Sequence, residues 1–217
     1  MFQGFTKETS DFLWELSFNN ERPWFLEHKN EFERVLNTPF RELAKDTFSL
    51  FSERHPELNA KLHTARIYRD ARRLFGRGPY KDHLWFSMKD GTMLLEGPMF
   101  WFEIGAAEFS YGMGFYSATP AQMQRFRDIA DAEPAALERI IDMAEGCPEY
   151  VLSGEKYSRP KGVHDERFDN WYNRRQLGLE HTEDFGGAIL EPSLPGLLTD
   201  EFEKLLPIYE FFMRFYI

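Results

Sequence analysis

The sequence predicts an α+β domain in which an antiparallel β-sheet meander is packed with N-terminal and C-terminal helices. Residues before about 54 and after about 119 repeat their apolar side chains at helical spacing, whereas residues between about 84 and 117 alternate them with a period of two. The strand-like runs follow one another across short turn signals, Asp90-Gly91 among them, and do not alternate with helices as a parallel sheet would require. With 217 residues, 42% of them hydrophobic, the chain can bury a substantial core, and its 22 phenylalanines supply much of that area.

Each element has a local cause. Thr6 can cap a first helix that carries Phe12, Leu13, Trp14 and Leu16 on one broad face and ends near Asn19-Asn20. A second helix follows Asn20 or Arg22, with Pro23 in its first turn, where no intrahelical acceptor needs the missing N–H. Its buried stripe is Trp24, Phe25, His28, Phe32, Val35 and Leu36, and Asn19-Asn20 reads as the corner, one asparagine capping the second helix. Thr38-Pro39 repeats the start signal for a third helix through Phe40, Leu43, Ala44, Phe48 and Phe51.

Leu84, Phe86 and Met88 then alternate with His83, Trp85 and Ser87, and Asp90-Gly91 favours a hairpin into Met93-Leu94-Leu95. Strands are predicted at Met99 to Ile104 and Phe109 to Ser117, with Gly112-Met113-Gly114 allowing a turn or bulge. Thr119-Pro120 and Glu133-Pro134 start two more helices, and a last one runs from Thr199 through Phe202, Leu205, Leu206, Tyr209 and Phe212. There is no Gly-, Ser- or Pro-rich linker and no repeat, so residues 1–217 are predicted to form a single domain. Residues 148–198 are predicted irregular, wrapping over that domain or forming a subsidiary lobe.

The formal charge of −10 opposes nonspecific attraction to nucleic acid, so a nucleic-acid partner is not expected. One cysteine, Cys147, excludes an internal disulfide framework and fits a reducing cytoplasm. The first residues, Met1-Phe2-Gln3-Gly4-Phe5-Thr6-Lys7-Glu8, carry no export signal, and no run of about 18 apolar residues points to a membrane.

Against this acidic background stands a basic island, Arg66 to Lys81, with six cations and one carboxylate. Like charges packed so closely are tolerable if they fan into water, pair with carboxylates, or surround an anion. One reading is therefore a solvated arginine-rich turn with Asp70 paired to Arg66 or Arg73. The other is an anion site formed by Arg66, Arg69, Asp70, Arg72, Arg77, Tyr80 and Lys81, in which guanidinium forks and a lysine hold phosphate or carboxylate, Gly76 and Gly78 admit backbone N–H groups, and Tyr68 and Tyr80 stack on a base or sugar.

Asp70, Asp82, His83 and Glu103 are the candidate acid–base groups beside the island, and no residue is assigned a catalytic role. The six histidines form no HxH or HExxH motif, Gly76-Arg77-Gly78-Pro79 lacks the P-loop spacing, and Gly112-Met113-Gly114 is too short for a dinucleotide fingerprint. No metal and no cofactor are expected. A second basic turn, Arg159-Pro160-Lys161-Gly162, and Arg174-Arg175 after Trp171-Tyr172-Asn173 mix cations with aromatics in a way that suits nucleic acid, which the acidic remainder opposes.

Phe18-Asn19-Asn20-Glu21-Arg22-Pro23-Trp24-Phe25, Arg66, Tyr68-Arg69-Asp70-x-Arg72 and Pro79-Tyr80-Lys81 together resemble the bacterial and fungal family known as domain of unknown function 2461. The resemblance extends to Gly112-x-Gly114-Phe115-Tyr116 and Pro160-Lys161-Gly162, and departs where this chain has Gly76 in place of the family's acidic residue. It implies a fold and a site but no reaction. Two classes of function remain open. The first is an enzyme acting on an anionic small molecule, and the second is a non-catalytic module that docks an acidic partner or nucleic acid.

Overall fold

The computed structural model describes residues 1–70, 72, 74, 76–92 and 97–216. The predicted hairpin strand Met93-Leu94-Leu95 lies outside the described residues, as do Arg73 and Phe75 of the basic island. The fold is α+β, with helices before and after a six-stranded antiparallel sheet. The strands are β1 (Ala60–Thr64), β2 (Leu84–Asp90), β3 (Met99–Ile104), β4 (Glu108–Gly114), β5 (Val151–Ser153) and β6 (Gly178–Asp184), in the spatial order β1-β2-β3-β4-β6-β5. Strands β2, β3 and β4 follow the predicted meander, β1 is a further strand that the sequence pattern did not reveal, and β6 returns to lie between β4 and β5.

The first helices depart from expectation in an instructive way. Helix α1 (Lys7–Phe18) buries Phe12, Leu13 and Leu16, but Trp14 is exposed and stacks on Phe18. Helix α2 (Arg22–Glu27) stops at His28, α3 (Lys29–Phe32) follows, and a π-helical turn over Glu33–Asn37 leads into α4 (Thr38–Arg54). Thr38-Pro39 therefore starts α4 as predicted, but the helix is entered directly from the π-helical turn and not from a loop. Pro39 has no N–H to give the Val35 carbonyl four residues back, and the wall-to-wall α ladder must break there. The buried Thr9 hydroxyl fills the gap by donating to Val35 O at 2.7 Å.

Further along, the capping box at Thr119 starts α5 (Pro120–Ala132), with Gln122 N donating to Thr119 Oγ1 at 3.2 Å and Thr119 N to Gln122 Oε1 at 2.8 Å. Helix α6 (Pro134–Glu145) begins at its proline as predicted. The stretch 148–198 is not irregular. It holds β5, helix α7 (Glu166–Tyr172, capped by Asp165), β6, a 3₁₀ turn at Gly187–Leu190 and the first residues of α8 (Leu194–Met213). Thr199 is an interior residue of α8, its hydroxyl donating back to Pro195 O, and not the helix start. Gly112 likewise sits inside β4 and not in a turn. A Cβ on Gly112 would come within 2.0 Å of the Leu179 carbonyl, so only glycine allows β4 and β6 to approach so closely.

Two compact units emerge from this chain path. The first comprises Met1–Met88, Trp101–Tyr111 and Thr182–Asp200. Its core is an aromatic series in which Phe12 meets Phe32, Phe32 meets Phe25, and Phe40, Phe86 and Phe102 follow with ring centroids 5.4–6.0 Å apart. The second comprises Lys89–Phe100, Gly112–His181 and Glu201–Ile217, and is built on Phe100 against Phe202 and Tyr209, and Phe126 and Phe115 against Phe215. Strand β3 shows why pattern reading works here. Phe100, Phe102 and Ile104 are buried while Met99, Trp101 and Glu103 are not, which is the period of two that the pleat imposes.

Candidate functional site

The basic island belongs to the first unit, and its two ends are tied together by backbone pairing. Tyr68 and Tyr80 form an antiparallel bridge, Arg69 N donates to Pro79 O at 2.8 Å, and Lys81 N donates to Ile67 O at 2.7 Å. Asn20 clamps this hairpin from outside. Its Nδ2 donates to Tyr80 O at 3.0 Å and its Oδ1 accepts from Tyr80 N at 2.9 Å, so one side chain serves both groups of the same residue as a neighbouring strand would. Asn20 therefore does not cap α2, as its place in the sequence suggested, and Gly78 does not leave room for an anion. A Cβ on Gly78 would lie 2.2 Å from Asn20 Oδ1, and that space is filled by the clamp.

Beneath the hairpin lies an aromatic floor. Phe25 is buried and stacks on Tyr80 at 4.0 Å, with Tyr68 edge-on to Phe25 at 6.0 Å. Tyr80 is itself 3% exposed, so its ring packs the hairpin down, while Tyr68 is 52% exposed and offers an open face. Trp24, expected in the buried stripe, is only partly buried and stacks on His28 at 4.1 Å.

The sequence-predicted cations divide into two groups. Arg69 turns inward: its side chain is 13% exposed, Nε donates to Tyr80 O at 2.7 Å, and Nη2 meets Asp82 Oδ1 at 3.1 Å. Lys81 Nζ donates to Arg66 O at 2.8 Å. Burial, followed by the positive charges of Arg69 and Arg66, pushes the Lys81 ammonium below the usual lysine range against the pull of Glu103. Arg72, by contrast, is 88% exposed and is held by Asp70, whose Oδ1 accepts from Arg72 N and Nε and whose Oδ2 accepts from Nη2 at 2.8 Å. Asp70 thus positions Arg72; the expected pairing with Arg73 lies outside the described residues. Arg66 and Arg77 point to solvent, and among the described residues neither forms an ion pair.

Three of the four candidate acid–base groups converge beside Lys81. His83 Nδ1 lies 2.9 Å from Asp82 Oδ1 and its Nε2 lies 4.0 Å from Glu103 Oε2, so the imidazole stands between two carboxylates. Burial raises the Glu103 carboxyl above the usual range; His83 and Lys81 oppose this and Asp82 and Glu108 reinforce it. Burial also pushes the Asp82 carboxyl up, but a backbone hydrogen bond, His83 and Arg69 outweigh it and leave Asp82 below the usual range. Two carboxylates on one histidine with pKa values driven apart can hold a proton on one side and accept it on the other. They address opposite ring nitrogens, and among the described residues no group of three His, Cys, Asp or Glu could hold a metal ion.

A cleft of about 860 Å³ lies in the second unit, between α6, α7 and β5. Within its lining Arg167 is paired with Glu145, and it also bonds Asp142. Size alone does not make it the site.

Residues 8–211 match the family model described as "Conserved hypothetical protein (DUF2461)". The chain belongs to this family. No curated protein matches it. In this DUF2461 chain the Asn19-Asn20 and Pro79-Tyr80-Lys81 motifs, sixty residues apart in sequence, are the two halves of one clamp. The signal for that partnership in the sequence was only that both belonged to the same family pattern. No helix among the described residues is long and apolar enough to cross a membrane.

Proposed function

We propose that this protein binds a small anionic molecule, phosphate- or carboxylate-bearing, on the face formed by Arg66, Arg69 and Lys81, and that it does so in the cytoplasm, where Cys147 stays reduced. The observation that carries the reading is that these three cations lie together, Lys81 Nζ donating to Arg66 O at 2.8 Å, while among the described residues only Arg69 of the three has a carboxylate partner; burial, and after it the charges of Arg69 and Arg66, lower the basicity of Lys81. Clustered like charges held by the fold are relieved when an anion arrives. Arg77 extends the positive field outward beside Arg72, which Asp70 holds in place, and Tyr68 offers a ring for an aromatic or sugar portion of the ligand.

The specific observation that favours chemistry beyond binding is the Asp82–His83–Glu103 arrangement within reach of Lys81. In that reading the cations hold the anion, His83 transfers the proton, and the two carboxylates set its direction.

Titration of the intact protein with inorganic phosphate, citrate and a panel of phosphorylated metabolites, read by calorimetry and melting temperature, tests the proposal. Lys81→Met should weaken binding by about tenfold or more, because charge-assisted hydrogen bonds contribute roughly 1.5–3 kcal/mol. The unliganded variant should be as stable as the parent or slightly more so. Strong destabilisation of unliganded Lys81→Met with unchanged binding would reduce the cluster to a structural network. Tight oligonucleotide binding that needs Arg72 and Arg77 but not Lys81 would replace it with an interaction module.

A further inference from the structure

The second unit contains a positive cluster that the basic island does not explain. Three cations surround the ring of Tyr157: Lys161 Nζ lies 4.7 Å from its centroid, Arg127 Cζ 5.6 Å and Arg175 Cζ 5.7 Å. One aromatic face attracts a cation, but the ring quadrupole cannot neutralise three. Only Arg175 has a carboxylate partner among the described residues, Glu155 at 3.3 Å.

Arg127 is the telling member. It is 4% exposed, its Nη2 donates to Gln124 Oε1 at 3.0 Å, and its Nη1 is buried with no hydrogen-bond partner. A buried guanidinium nitrogen without an acceptor is costly, and native structures retain such a group only where something compensates it. The missing partner is an acceptor, and the charge around it calls for an anionic one.

The segment that carries the Tyr157 ring is held in place by hydrogen bonds, and a cavity adjoins that ring. Asn173, itself buried, holds the segment in place: its backbone O accepts from Tyr157 N at 2.8 Å, its Oδ1 accepts from Lys161 N at 2.6 Å and Gly162 N at 3.3 Å, and its Nδ2 donates to Gly162 O. Arg174 is locked by Asn170 and the Gly154 carbonyl, which fixes the approach of Arg175. Tyr157 and Arg175 line a cavity of about 450 Å³ with Ala118, Pro120, Glu155 and Gln176. That cavity therefore opens at the start of α5, whose N-terminal end adds a partial positive charge. Such a volume is in the range of small-molecule pockets.

We propose that Arg127, Lys161 and Arg175, arranged around Tyr157, form a phosphate-binding site for a phosphorylated small molecule. The inference is independent of the Lys81 face, which lies in the other unit. A cavity of this size, lined by Tyr157 and Arg175, suits a phosphate group better than a nucleic-acid strand, which the −10 charge of the chain also opposes.

The test uses the intact protein, inorganic phosphate and pyrophosphate, with calorimetry and ³¹P NMR. A Lys161→Ala/Arg175→Ala variant alters two exposed side chains and leaves Arg127 in place, so it is expected to fold, which circular dichroism would verify. Saturable pyrophosphate binding should fall by at least about tenfold in that variant and survive in Lys81→Met. A Tyr157→Leu variant should also weaken it, by disordering the cations. Binding that is unchanged in the double variant, or that disappears only with Lys81→Met, would overturn the proposal. So would pyrophosphate binding that never saturates, or oligonucleotide binding through the same residues tighter than that of pyrophosphate.

Discussion

Two basic turns, one in each unit, are held by the same device and differ in what their charges are given. At Arg66 to Lys81, Asn20 satisfies both backbone groups of Tyr80; at Arg159 to Gly162, Asn173 takes the N–H groups of Lys161 and Gly162 and returns a hydrogen bond to Gly162 O. In the first turn the inward cations have oxygen acceptors: Asp82 and Tyr80 O for Arg69, Arg66 O for Lys81. In the second, three cations share one tyrosine ring and a guanidinium nitrogen is left buried without an acceptor. The inward cations of the turn with the denser charge in sequence are therefore better supplied with acceptors than the buried one of the second. Local charge counts a demand for counter-charge, and only the fold shows how much of it has been met.

The comparison can be broken most forcefully at the aromatic floor of the first turn. Phe25→Ala removes a buried ring from beneath Tyr80 and Tyr68 and should destabilise the protein by about 3–5 kcal/mol, read from chemical denaturation. A loss below about 1 kcal/mol would mean that the hairpin does not depend on that floor.

The clamps come next. Asn20→Ala and Asn173→Ala each strand backbone groups that the amide now serves, and each should lose about 1–3 kcal/mol. Hydrogen exchange should show the amide of Tyr80 released in the first variant and those of Lys161 and Gly162 in the second. Equal losses would sharpen the view that the two turns are built alike and charged differently.

The smallest effects lie in the pH dependence of the acid pair. Asp82 is depressed, so the stability it contributes is present above its unfolded value and lost as pH falls through its folded one; Asp82→Asn should be less stable than the parent near pH 7 and converge with it in strong acid. Glu103 is raised, so its ionisation removes stability as pH rises through its folded value. Glu103→Gln should then be as stable as the parent below the carboxylate range and slightly more stable near neutrality. Both groups are partly exposed, which limits each difference to about 1 kcal/mol or less. Matched denaturation curves at pH 3, 5 and 7 would resolve the two signs.

Much of the fold was legible in the sequence because the signals involved are local. Phe100, Phe102 and Ile104 alternate with Trp101 and Glu103, and that alternation alone defines β3. Thr119-Pro120 and Glu133-Pro134 announce α5 and α6, because capping oxygens and a proline's missing N–H act within one turn of helix. The basic island likewise marked a region of interest, with Arg69 and Lys81 in it and Asp82, His83 and Glu103 beside it.

What the sequence left undetermined depends on partners distant along the chain. Strand β6 is largely polar and becomes a strand by lying between β4 and β5, and the three residues of β5 are too few to show a period. Thr38-Pro39 announced the start of α4, but the π turn that leads straight into it was not legible, because the hydroxyl that serves the Val35 carbonyl comes from Thr9, thirty residues before Pro39. Asn20 looked like a cap because a cap is the nearest use for an asparagine amide, and the fold instead delivered Tyr80 to it from sixty residues away. Arg127 gave no signal at all, since nothing in a helical repeat reveals that one guanidinium nitrogen will be buried without an acceptor. Residue types and spacing determine which groups need a partner; the tertiary structure determines which groups receive one, because hydrogen bonds and charge compensation act over a few ångströms of space however long the intervening chain.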